Sequence, residues 1–359
     1  MDKEKYLAGA FLFLVASCGG EGGADENDQL IASGANDRAS VFVEPASIDN
    51  TGGQAIEPAI VKSLIVEGAV NGLAFVGESE GLAVALNREV LLLDATSGEE
   101  RLRFTPCRTC NSVRINRSED GREILMRGLA RDTGAAYDAH SGEKLRDLTG
   151  PDYRASYAPE GDIALSVMDA EAGLEDAVTG EAVWTSGIGK IGALGFSPDG
   201  SQFVISADGD GSPRAGGKVL FYDAKTRDLN TQIEFAPGSF NHLAFSPDGK
   251  HLILGSYKAR VIVWDMDQQT VHCRFDSDTT GQGLRALKVS PDGRLIATGG
   301  GSDNWGYARV WDSGSCNLRA ETTFRDRVSG LSFHRTQPLL AAGAWSGEIA
   351  LIDLQGVEK

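Results

Sequence analysis

Phe196-Ser-Pro-Asp-Gly200, Phe245-Ser-Pro-Asp-Gly249 and Val289-Ser-Pro-Asp-Gly293 are three near-copies of one five-residue block, set 49 and 44 residues apart. A unit that recurs at such an interval marks a solenoid or a propeller, because each unit can bury its faces only against its neighbours. Each block reads as an apolar strand end running into a type I turn: Ser accepts at the first position, Pro presets φ at the second and Gly closes the fourth. Weaker copies of the apolar anchor extend the series to Phe75, Ile115, Tyr157, Phe196, Phe245, Val289 and Phe333, at intervals of 40, 42, 39, 49, 44 and 44 residues. The chain therefore carries seven units.

A second mark follows each anchor, an apolar or aromatic residue and then an acid: Leu93-Asp94, Tyr137-Asp138, Tyr222-Asp223, Trp264-Asp265, Trp311-Asp312 and Ile352-Asp353, with Asp176 in the third unit. Between the marks lie short alternating runs such as Leu252-Ile-Leu-Gly-Ser and Arg260-Val-Ile-Val-Trp264, which have the period of strands and no helical stripe. On these turns and Trp-Asp pairs the chain resembles the WD-repeat family of β-propellers over residues 59 to 355. The resemblance implies an all-β, seven-bladed propeller of four-stranded blades whose loop faces bind proteins. No unit has the Gly-His pair that commonly opens a family repeat, so the usual His-to-Asp network is expected to be incomplete. Units one to three carry Asp94-Ala-Thr-Ser-Gly-Glu, Asp138-Ala-His-Ser-Gly-Glu and Asp176-Ala-Val-Thr-Gly-Glu-Ala-Val-Trp184, which look like the strand-turn-strand block of quinoprotein-type propellers.

The ends predict how the ring closes. The seventh unit supplies strands near 328 to 334, 339 to 345 and 348 to 354, and then the sequence stops at Lys359 without a fourth. Ala59-Ile-Val-Lys-Ser-Leu-Ile-Val66 has matching character and is expected to complete blade seven, pairing an edge that would otherwise be open. Residues 59–359 are accordingly read as the propeller.

Residues 1–17 read as an address. Tyr6 to Ser17 is an apolar run of 12 residues, short for a membrane span but the right length for the core of a secretory signal. It ends Leu14-Val-Ala-Ser-Cys18, which resembles the lipobox of bacterial lipoproteins and implies that Cys18 receives a lipid. Residues 18–58, with eight acids and one arginine, have little to bury and read as a flexible acidic tether. Val41-Phe-Val43 within it is either a docking segment or an idle apolar patch. The expected location is a bacterial cell envelope, with the propeller lipid-anchored to a membrane and facing the periplasm or exterior.

With a net charge of −17 and a pI near 4.7, the chain lacks the basic surface that draws nucleic acid. Charge is uneven: residues 101 to 131 hold eight arginines against three acids, and residues 152 to 181 hold eight acids against one arginine. Either neighbouring blades neutralise one another or a bipolar rim orients a charged partner. Arg108, Arg114 and Arg117 are the candidate binding residues, for an acidic protein or an anionic surface polymer. At the inner-strand position of Ala74, Arg114, Ser156, Gly195, Ala244, Lys288 and Ser332, five of seven residues are small, as close blade packing requires; Arg114 and Lys288 serve interblade ion pairing or ligand binding.

Cys107-Arg-Thr-Cys110 is followed by Asn111, which excludes the haem-attachment motif, and one C-x-x-C without a second pair makes a poor zinc site. A small disulfide loop and two unpaired thiols are the open alternatives, and Cys273 and Cys316 cannot be paired from sequence. Gly187-Ile-Gly-Lys-Ile-Gly192 has dinucleotide-fingerprint spacing but no following helix, and so reads as a turn. Asp208-Gly-Asp-Gly-Ser212 begins like a calcium loop but has Pro213 where the sharp-turn Gly belongs. Gly330-Leu-Ser-Phe-His334 lacks the second Gly of a nucleophile elbow. His140, His242, His251, His272 and His334 are read as lying in different units without ligand spacing. No catalytic group, metal or cofactor is expected, and the function predicted is a lipid-anchored interaction scaffold. The alternative is a propeller enzyme or cofactor binder of quinoprotein or lactonase-like type, with its site at the channel mouth.

Overall fold

The computed structural model describes residues 31–32, 40–43, 55, 58–77, 81–105, 113–117, 122–128, 134–148, 156–159, 163–168, 171–176, 179, 181–207, 217–235, 239–278, 280 and 282–357. Three strands precede the first full blade: β1 (Ile31–Ala32), β2 (Ser40–Val43) and β3 (Ile60–Ile65). Blade one is β4 (Gly72–Val76), β5 (Gly81–Ala85), β6 (Val90–Asp94) and β7 (Glu100–Phe104). Blade two is β8 (Val113–Arg117), β9 (Glu123–Gly128), β10 (Gly134–Asp138) and β11 (Lys144–Leu148). Blade three is β12 (Ser156–Tyr157), β13 (Ile163–Met168), β14 (Glu171–Asp176) and β15 (Ala182–Gly189). Blade four is β16 (Ile191–Phe196), β17 (Gln202–Ala207), β18 (Gly217–Asp223) and β19 (Leu229–Phe235). Blade five is β20 (Phe240–Phe245), β21 (His251–Ser256), β22 (Arg260–Asp265) and β23 (Thr270–Asp276). Blade six is β24 (Leu284–Val289), β25 (Leu295–Ser302), β26 (Trp305–Asp312) and β27 (Leu318–Phe324). Blade seven is β28 (Val328–Phe333), β29 (Leu339–Ala344) and β30 (Glu348–Asp353), completed by β3 antiparallel to β30.

All seven anchors fall in the first strands, which touch their counterparts around the ring, β12 on β16, β16 on β20, β20 on β24, β24 on β28 and β28 back on β4. The expected seven-bladed, four-stranded propeller is the fold, and the N-terminal strand closes it. The core lies between blades. Phe75, Leu82 and Leu91 pack against Ala341 and Ile349 across the closing seam, and Trp264 packs with Phe221 and Phe235 between blades four and five. Small inner-strand residues let this happen. Ser332 Oγ accepts the Phe75 N–H at 3.0 Å, and a Cβ on Gly195 would meet Leu243 at 2.9 Å.

The repeated blocks make one turn three times. Gly200, Gly249 and Gly293 donate to the carbonyls of Ser197, Ser246 and Ser290 at 2.9 Å, with φ of +68, +72 and +78. Each Ser hydroxyl donates to the turn Asp at 2.6 Å and accepts the N–H of the next strand's first residue. In blade seven His334 stands in for Ser, its Nδ1 accepting the N–H groups of Thr336 and Gln337.

The acids of the second mark each end a third strand, and before blade seven they cap the turn into the fourth: Asp94 accepts from Thr96 and Ser97, Asp265 from Asp267 and Gln268, and Asp312 from Gly314 and Ser315. The quinoprotein-like blocks and the Trp-Asp blocks share this turn. They differ at its left-handed position, which is Gly98 or Gly142 early in the chain and Arg227, Gln269 or Cys316 later.

These turns rest on the outer strand of the preceding blade. Gly98 sits against Leu64 and Lys62, Gly142 against Leu102, and Arg227 Nη1 donates to the Val183 carbonyl at 3.4 Å. At the seam of blades five and six the contact is covalent, a Cys273–Cys316 disulfide with Cα atoms 6.2 Å apart. Val41-Phe-Val43 docks: β2 lies parallel to β19 and, with β1, extends blade four to six strands.

Candidate functional site

Antiparallel order sends two sets of loops to opposite ends of the ring. The Ser-Pro-Asp-Gly turns and the acid-capped turns share one end, and the loops after β21, β23, β25, β27 and β29 share the other. At the second end, blades five to seven gather two arginines and two large exposed aromatics. Tyr257 is 57% exposed and Trp345 41%, although both could have been buried in an apolar core. Arg285 lies over the Tyr257 ring at 5.8 Å and Arg327 over the Trp345 ring at 4.3 Å. A cavity of about 410 Å³ opens between them, lined by Tyr257, Gln282, Arg285, Ser302, Asp303 and Arg327.

The cleft carries mixed charge, two guanidinium groups beside the Asp303 carboxylate. Burial first, and then the positive charge of Arg285, lower the Arg327 pKa below its ordinary value, so two cations face one shared space. Arg327 is ion-paired with Asp303 and lies 3.6 Å from Asp326, but Asp303 is 77% exposed and screened by water. The buried Nε atoms of Arg285 and Arg327 have no hydrogen-bond partner among the described residues. Arginine and aromatic side chains on a rigid rim are what protein interfaces use as anchors.

The residues singled out in the sequence do not assemble into this site. Cys18, Cys107, Arg108, Cys110 and the 208–212 stretch lie outside the described residues. Arg114 and Arg117 stand on β8, their Cα atoms opposite Arg127 and Ile124. Lys288 is exposed on β24. The Gly187–Gly192 segment is the hairpin-like passage from β15 to β16, with Gly187 and Lys190 at positive φ. One reading is corrected: His242, His251 and His272 are in the same unit, on β20, β21 and β23 of blade five, and the rings of the last two have centroids 5.1 Å apart. Sequence spacing hides this because a hairpin and a third strand separate them, whereas the sheet register brings them together.

Comparison with known proteins agrees with this architecture. Residues 232–265 and 271–312 match the family model described as WD domain, G-beta repeat. Each match begins in the outer strand of one blade and ends at the acid closing the third strand of the next, the same one-strand offset that makes β3 the closing strand. Telomerase protein component 1 of Mus musculus is 23% identical over 166 residues, 46% of this chain and 6% of that protein. Protein groucho of Drosophila melanogaster is 22% identical over 171 residues, 47% of this chain and 22% of its own length. Transducin-like enhancer protein 2 of Mus musculus is 23% identical over 164 residues, 45% of this chain and 20% of that protein. The chain thus spans under a quarter of each relative. Among solved structures, the Cps50 (Swd1) β-propeller domain of Myceliophteria thermophila superposes with a TM-score of 0.66 at 15% identity, covering 82% of this chain and 98% of that one. The chain is a seven-bladed β-propeller, and two stretches of it match the WD-domain, G-beta-repeat model.

Proposed function

We propose that this propeller is a scaffold of the bacterial cell envelope, tethered through a lipid on Cys18, that captures an acidic segment of a protein partner on the rim of blades five to seven. The observation that carries the reading is the convergence of Arg285 and Arg327 on one open cleft beside Tyr257, with Trp345 stacked under Arg327. A carboxylate side chain pairs with Arg285 and competes with the exposed Asp303 for Arg327, and the aromatic pair supplies rigid apolar area beside it. The address rests on the apolar run before Cys18, and the Cys273–Cys316 bond suits an oxidising compartment.

The test uses a panel of Asp/Glu-rich peptides and detergent-solubilised envelope proteins. Arg285→Glu is expected to weaken capture by about tenfold or more, the worth of a charge-assisted hydrogen bond of roughly 1.5–3 kcal/mol. The on-rate is expected to fall as salt rises. Arg108→Glu with Arg117→Glu is the comparison. If that pair abolishes capture while Arg285→Glu leaves it intact, the binding face is on blade two and not on this rim.

A further inference from the structure

At the opposite end of blade five, three side chains of metal-ligating type converge. His251, Asp265 and His272 each bring one donor atom within 4.8 Å of the other two. His251 opens β21 and its Cα faces Asp265, the last residue of β22. His272 arrives by a bulge: β23 pairs Val271 with Trp264 and Cys273 with Val263, so His272 is the extra residue, turned beside the Asp265 carboxylate.

The other blades serve as internal controls, because each has the same acid, the same facing position and the same bulge. In blades one and six the bulged residue is Arg101 or Arg319, and each pairs with the acid of its own blade, Asp94 or Asp312. That is the ordinary use of the position, a cation neutralising the turn acid. The position facing the acid is Gly, Glu, Ile, Gln or Leu in the six other blades. Blade five replaces both neighbours of the acid with imidazoles, which the turn itself does not need.

Hydrogen bonding leaves the set available. His272 Nε2 lies 2.7 Å from the Gly314 carbonyl of blade six, and since a carbonyl only accepts, Nε2 carries the proton and, in the neutral ring, Nδ1 offers a lone pair. A ring nitrogen bonded to a backbone carbonyl is the usual outer support of a metal-bound histidine. Asp265 spends Oδ1 on the turn N–H groups of Asp267 and Gln268. Among the described residues no hydrogen bond uses its second oxygen.

We propose that His251, Asp265 and His272 form a surface site for a divalent transition metal such as zinc, supported from blade six by the Gly314 carbonyl. Donors about 2.0–2.2 Å from zinc stand roughly 3.3–3.6 Å apart, so small side-chain rotations close the set. Two nitrogens and one oxygen suit zinc, copper or nickel better than calcium or magnesium. Three protein ligands leave one position for water or for a donor from a partner.

The test uses the full chain without a polyhistidine tag, on a Cys107→Ser, Cys110→Ser background so that those thiols cannot bind zinc. Titration of the metal-stripped protein with zinc chloride is expected to show one equivalent bound, and cobalt(II) substitution a visible absorption band. His272→Gln, which keeps an amide to donate to Gly314, should lower zinc affinity at least about tenfold. Asp265→Asn, which still accepts the turn N–H groups, should do the same, and His140→Gln should change nothing. Absence of saturable zinc binding would overturn the site, as would an undiminished stoichiometry in His251→Gln, His272→Gln. Melting temperatures in chelator confirm that each variant is folded, so lost binding reports on ligands alone.

Discussion

Gln269 is an ordinary side chain in a conformation that favours glycine. It holds φ of +53 at the turn position where Gly98 and Gly142 have +72 and +69. The left-handed conformation costs a non-glycine residue roughly 1–2 kcal/mol, partly offset by glycine's greater freedom in the unfolded chain. Gln269→Gly should therefore stabilise the protein by up to about 1 kcal/mol, read as a raised thermal midpoint. Gly98→Ala should destabilise it, since the new Cβ is both strained and driven into the Leu64 side chain. If Gln269→Gly lowers the midpoint, the turn is held by something other than its backbone preference. The same turns set the acid limit. The Ser97 N–H first, then Arg101, lower the Asp94 pKa to about 2; the Ser141 N–H lowers that of Asp138, and the Thr226 N–H that of Asp223. A folded-state pKa below the unfolded value of about 3.9 adds stability that is complete above that value and is lost as pH falls through the folded one. Stability should therefore drop between about pH 4 and pH 2. Asp94→Asn keeps an acceptor for the turn but no titrating charge, so its melting temperature should fall less steeply over that window. Equal slopes for the two proteins would remove Asp94 from the account.

Strands were the most legible elements, because the signals that mark them are local. Phe196-Ser-Pro-Asp-Gly200 contains its own acceptor, its own φ restraint and its own left-handed glycine, so five residues specify a hairpin without tertiary help. Closure was legible for a related reason: blade seven lacked a strand and Ile60–Ile65 had no blade of its own. Register was not legible. That Cys273 meets Cys316, or that His272 is the bulged residue beside Asp265, depends on packing between blades and on a one-residue irregularity in pairing. The rim site was equally hidden, since Tyr257, Arg327 and Trp345 come from loops and Arg285 from the start of β24, in three blades that share no motif. The signal available was the exposure of large aromatics at equivalent loop positions, which requires strand boundaries to be known first. The closing strand can be tested as an element. Deleting residues 1 to 50 should leave a folded monomer, whereas deletion through Val66 strips β3 from β30 and exposes Ile349 and Leu351. The longer deletion should aggregate, as judged by size-exclusion chromatography. A monomer of unchanged heat stability would show that the ring does not need its clasp.

At the scale of the whole molecule, the two ends of the ring have different chemistry, and an anchor would decide which end a partner can reach. Arg285, Arg327 and their aromatics crowd one end, while the acid-capped turns and the His251, Asp265 and His272 group occupy the other. After Cys18 the chain joins the outer edge of blade four through β1 and β2, before β3 closes blade seven. A lipid on Cys18 would hold the propeller near a membrane by the outer edge of blade four. Cys18→Ser is the decisive variant for this arrangement. It should abolish labelling by a fatty-acid probe and move the protein from the membrane fraction to the soluble fraction. Its melting temperature should not change, because the ring begins at β3 and Cys18 precedes every strand. Binding of the acidic peptide panel should also persist, since Arg285 and Arg327 are far along the chain from the anchor. Membrane association that survives the substitution would refute the lipid anchor and leave the apolar segment Tyr6 to Ser17 as the retained membrane contact.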